Sequence, residues 1–71
     1  MITFNKSEMP FVAGTVEQTI ESAIMDQRFS HLTGKNLTVI QNGRPIARQE
    51  RASTMVSDGD VLSVMEIYFG G

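Results

Sequence analysis

Apolar and polar residues alternate from the start of the chain. Ile2-Thr3-Phe4-Asn5-Lys6 puts Ile2 and Phe4 on one side of an extended segment, the pattern of a half-buried strand. Ser7-Glu8 is expected to turn the chain, and residues 9–12 to return as the second strand of a hairpin. Pro10 has no amide proton to give to a ladder, so this return belongs at a sheet edge or a bulge.

At Gly14 the period changes. Val16, Ile20, Ala23 and Ile24 form one apolar stripe, with Glu17, Glu21 and Ser22 off it, the signature of an amphipathic helix. Thr15 and Gln18 stand three apart at its start, the spacing of a capping box. The helix is expected to end between residues 25 and 28, with residues 26–36 as a loop.

Strand-forming residues dominate 37–41, and Asn42-Gly43 follows at once. That dipeptide supplies the two positive-φ positions of a tight hairpin turn, so residues 44–48 should run back alongside. A polar stretch, 49–54, leads to Met55 and Val56. Ser57-Asp58-Gly59-Asp60 reads as a turn, residues 61–68 as the last strand, and Phe69-Gly70-Gly71 as a tail. The elements predict an α+β fold of two layers, with one main helix on one face of a mixed sheet of about five strands. The first and last strands are placed to pair in its centre. Several small folds share this order.

The last strand contains a break in parity. Leu62 and Val64 face the core with Ser63 outward, but Met65, Ile67 and Phe69 are apolar on the outward parity and Glu66 holds the inward one. Either a bulge shifts the register, or these three side chains stand exposed beside the tail. Exposed, they would suit docking onto a partner protein.

Composition narrows the function. A chain of 71 residues is one domain, read here as 1–69 with a flexible 70–71 tail. A domain of this size buries about 60% of its unfolded surface, too little for a deep enclosed pocket. With no cysteine there are no disulfides or thiolate metal sites, and a reduced, cytoplasmic setting is the expectation. No apolar run approaches the roughly 20 residues of a membrane span, and the first residues lack the pattern of a secretory signal. Six basic and eight acidic residues give a net charge of −2, which disfavours nucleic acid as a partner.

Candidate chemistry in the side chains is sparse. His31 is the sole histidine and falls in the loop, where a solvated role is expected. Asp58 and Asp60 lack the further oxygen ligands of a calcium loop and read as turn residues. Arg44, Arg48 and Arg51 are close enough in sequence to face an acidic partner, or to be merely solvated. There is no Gly-rich phosphate loop. No catalytic residue, metal site or bound cofactor is expected, so a carrier or binding module fits better than an enzyme.

The second half carries a resemblance. Val39 to Gln41, the hairpin at Asn42, Val56-Ser57-Asp58-Gly59-Asp60, the apolar strand from Val61 and the closing Gly70-Gly71 follow without gaps. In this order they resemble the ThiS/MoaD family of ubiquitin-like sulfur carriers. Molybdopterin-synthase small subunits in this group tend to be longer, with proline before Gly-Gly. Glu66-Ile67-Tyr68-Phe69 has none, so the thiamine-pathway branch is the nearer match.

The resemblance implies a β-grasp fold and a sulfur carrier acting through its terminus. A ubiquitin-activating-enzyme-like adenylyltransferase would use MgATP to join the Gly71 carboxylate to AMP. Sulfur would displace AMP to give a thiocarboxylate, and a synthase such as thiazole synthase would accept it. Glycine at 70 and 71 has no Cβ to crowd a narrow channel. The carrier itself is expected to be monomeric, with Met65, Ile67 and Phe69 as its docking group. The alternatives are a carrier for molybdopterin or a sulfur amino acid, a ubiquitin-like modifier conjugated to lysines through Gly71, and a plain β-grasp interaction module.

Overall fold

A computed structural model describes residues 1–34 and 36–67. Among these, β1 (Ile2–Phe4) and β2 (Ser7–Met9) form the first hairpin, followed by β3 (Gly14–Thr15) and α1 (Val16–Ala23). Then come β4 (Leu37–Gln41), β5 (Arg44–Ile46), β6 (Met55–Val56) and β7 (Val61–Glu66). The main sheet has the order β2-β1-β7-β4-β5, and β3 pairs with β6 in a small second ladder. β1 and β7 run parallel at the centre, while the other neighbours are antiparallel. This mixed five-stranded sheet with one packed helix is the β-grasp, ubiquitin-like fold that the resemblance implied.

Alternation explains the core. Ile2 and Phe4 from β1, Val39 from β4, Ile46 from β5, and Leu62 and Val64 from β7 all point to the helix side and are buried. Val16, Ile20 and Ala23 of α1 meet them. The Phe4 ring stands edge-on to Phe29 at 4.8 Å between centroids, a favoured aromatic geometry. The capping box is present: Gln18 N donates to Thr15 Oγ1 at 3.2 Å, and Thr15 N to Gln18 Oε1 at 2.9 Å.

Four boundaries differ from expectation. The first turn is Asn5-Lys6, both at positive φ (48° and 68°), so the returning strand is Ser7–Met9 and not 9–12. Asn tolerates this conformation, and two bonds hold it there: Asn5 Nδ2 donates to Val64 O at 2.8 Å, and Val64 N to Asn5 Oδ1 at 2.7 Å. Its side chain thus replaces the backbone of β1 where β1 turns away. Pro10 lies just past β2, which is an edge strand.

α1 ends at Ala23, earlier than the apolar stripe suggested, because the chain turns at once to bring Phe29 inward. The segment read as a loop contains a short 3-10 turn, Ser30–Leu32, and contributes both Phe29 and Leu32 to the core. β5 stops at Ile46, after which residues 48–50 form another 3-10 turn. β7 is described as far as Glu66; Tyr68, in the expected strand, lies outside the described residues.

Candidate functional site

β7 connects two unlike ends of the molecule. At its start, the Asp58-Gly59-Asp60 turn is densely bonded. Asp60 accepts from the Ser57 amide (2.8 Å), Gln41 Nε2 (2.9 Å) and Asn42 Nδ2 (3.0 Å). Partial burial pushes the Asp60 carboxyl up, but the Ser57, Asn42 and Gln41 donors more than reverse this and hold it below the usual carboxylate value. Asn42 Oδ1 takes the Val61 amide at 2.8 Å. Asp58 receives the Met1 α-amino group at 2.5 Å, and the Met1 carbonyl accepts from Gly59 N at 2.9 Å. Gly59 has φ +89°, which a side chain would strain. The carboxylate of Asp60 and the amide of Asn42 are thus bonded within the fold, and Asp58-Gly59 forms a turn as expected.

The other end of β7 leads toward the tail. The pairing with β4 runs without a bulge from Gln41↔Leu62 to Leu37↔Glu66, so the parity break puts apolar side chains outside. Met65 is 56% exposed and Ile67 37% exposed. Val61, at 48% exposed, shares their face. Ile67 N still donates to Asn36 O at 2.8 Å, keeping this last described residue beside β4. Phe69, Gly70 and Gly71, the rest of the expected docking group and tail, lie outside the described residues.

Beside this end opens a cleft of about 540 Å³. It lies where β5 stops, so that Leu37 and Thr38 of β4, paired with β7 on one side, have no strand on the other. Leu37, Pro45 and Ile67 give it apolar walls, while Arg48, Arg51 and one acid, Glu50, bring charge. Arg51 is fixed from both sides: its carbonyl accepts the Glu17 amide at 3.0 Å, and its guanidinium donates to Leu37 O at 2.5 Å. Arg51 Nε is buried and has no hydrogen-bond acceptor. Of the three arginines singled out in the sequence, the structure brings Arg48 and Arg51 to this cleft, while Arg44 lies 3.7 Å from Glu50. The cleft itself was not read from the sequence. The strand expected over residues 44–48 would have covered it; β5 ends at Ile46 instead.

The remaining candidates are bland. His31 is exposed in its 3-10 turn. Among the described residues, no group of three His, Cys, Asp or Glu side chains is placed to hold a metal ion. The α1 N-terminus offers no free anion site either. Val16 N donates to Thr54 O and Glu17 N to Arg51 O, so these otherwise orphaned amides are occupied.

No family profile and no curated protein matches the sequence. Among solved structures, the chain is similar to the thiamine biosynthesis protein (ThiS) from Geobacter metallireducens, with a TM-score of 0.72 and 23% identity. The match covers 99% of this chain and 97% of that one. It shows a shared fold over the full length.

Proposed function

We propose that this chain is a sulfur carrier that works through the carboxylate of Gly71. The observation that carries the reading is the likeness of its fold, over 99% of the chain, to the Geobacter metallireducens ThiS protein, joined to the Gly70-Gly71 pair that follows β7 in the sequence. In this reading an adenylyltransferase activates the Gly71 carboxylate with MgATP. A sulfur nucleophile then attacks the acyl carbon, AMP leaves, and the resulting thiocarboxylate delivers sulfur to an acceptor synthase.

The chain supplies no acid, base or oxyanion donor to these steps; its part is to present the tail. Met65 and Ile67, exposed on β7, and Phe69 beyond them would dock on the activating enzyme and the synthase. The reading puts the carrier in the cytoplasm as a monomer, with thiazole synthase of thiamine biosynthesis as acceptor.

The test supplies the chain, with its terminus converted to a thiocarboxylate, to a thiazole synthase and the synthase's other substrates. Formation of the thiazole product, with the carrier returned to its carboxylate mass, is expected. A thiocarboxylate left intact by a synthase that is active with its own carrier would assign the sulfur to another acceptor.

A further inference from the structure

The cleft beside the end of β7 shares Ile67 with the docking face proposed above, but its arginines have no part in the tail chemistry. The chain carries a net charge of −2, yet three of its six basic residues fall within positions 44–51, against a single acid, Glu50. Glu50 is engaged already: it lies 3.7 Å from Arg44, and its Oε1 accepts the Ala47 amide at 3.0 Å. Among the described residues neither Arg48 nor Arg51 has a carboxylate partner. Residues 44–51 thus carry a net positive charge on a chain whose net charge is negative, which favours an anionic partner.

The walls indicate what kind of anion. They run along β4 from Asn36 to Val39 on one side and along residues 45–51 on the other. Four strand residues span roughly 13 Å, a trough for a length of chain rather than for a single small ion. Leu37, Pro45 and Ile67 offer apolar contact between the charges. The Arg51 guanidinium is held by one carbonyl bond and has an unpaired buried Nε, so its donors are under-used. A carboxylate matches the guanidinium fork with two parallel hydrogen bonds. The cleft is also set in advance, because the Arg51 carbonyl is tied to α1 and Thr54 Oγ1 donates to Glu50 O at 2.8 Å. Preorganisation of this kind lowers the entropy cost of docking.

We propose that the cleft between β4 and residues 45–51 docks an extended acidic segment of a partner protein, with its carboxylates on Arg48 and Arg51 and its apolar side chains against Leu37, Pro45 and Ile67. The inference stands on the cleft alone and does not depend on sulfur chemistry at Gly71. Nucleic acid is the less favoured anion, because two arginines on an acidic domain neutralise few phosphates.

The test is an amide NMR titration of the full chain with an acetylated, amidated heptapeptide of alternating aspartate and valine. A peptide with lysine in place of aspartate and a single-stranded oligonucleotide serve as comparisons. Saturable shifts are expected at Asn36–Thr38 and Ala47–Arg51 with the acidic peptide, weakening as salt is raised. Arg48→Glu, at an exposed position with no side-chain partner, should weaken binding about fivefold or more. Arg51→Lys, which keeps the charge but loses the fork, should weaken it less. Equal binding of the lysine peptide, tighter binding of the oligonucleotide, shifts confined to Val61 and Met65, or an unchanged affinity in Arg48→Glu would each overturn the proposal.

Discussion

The two ends of β7 are built on opposite principles. At the Asp58-Gly59-Asp60 turn, one carboxylate gathers three donors, the chain's own α-amino group is tied down, and Asn42 completes the start of the strand. Toward the tail, the strand keeps its ladder with β4 but turns Met65 and Ile67 to solvent beside an open cleft. The more conspicuous sequence motif is thus the structural one, and the end with the plainer sequence has surface to offer a partner. A rigid base at one end fixes the register from which the other end is presented.

Both ends rest on one core, and the largest effect is expected there. Phe4→Ala empties a fully buried position against Phe29. It should cost about 3–5 kcal/mol, read by urea unfolding, and loosen both ends together. If only one end's amides lose exchange protection, the ends do not share one cooperative unit.

Asp60→Ala attacks one end alone. Stranding the Ser57, Gln41 and Asn42 donors should cost about 1–3 kcal/mol while leaving the amide shifts of Met65 and Ile67 in place. The acid side of the pH profile sharpens the same point. Asp60 has its folded-state pKa depressed, so its contribution is present above the unfolded value and is lost as pH falls through the folded value. The stability gap between the native chain and Asp60→Asn should therefore narrow as pH is lowered. A gap that is constant with pH would contradict the carboxylate's role.

Asn5→Gly keeps the positive φ but removes both bonds to Val64. A loss of about 1–2 kcal/mol is expected, with no change at the Asp60 turn. The smallest effect on stability belongs to Met65→Glu, on the exposed face: within about 0.5 kcal/mol. The same variant should sharply slow activation by the partner enzyme. A large loss of stability with normal activation would reverse the assignment of that end.

The sequence made the fold legible where periodicity was strong. The β1 alternation, the α1 stripe with its capping box and the Asn42-Gly43 hairpin are local signals that tertiary structure left standing. The first turn was hidden because Asn5 continues the alternation of β1, while its reason for turning is a bond to Val64, 59 residues away. Phe29 and Leu32 were hidden because a loop has no period by which an inward residue can be told from an outward one. The parity break in β7 was visible, but two outcomes fitted it until the unbroken register with β4 excluded a bulge. The cleft could not be seen, since it is made by the point at which β5 ends and by an Arg51 side chain that crosses to Leu37.

The most direct test of the account is an intact mass spectrum of the chain after incubation with a cognate activating enzyme, MgATP and a sulfide source. A mass gain equal to one oxygen replaced by sulfur is expected, with no such gain when Gly71 is deleted. An unchanged mass, from an activating enzyme that thiolates another carrier in the same tube, would contradict it.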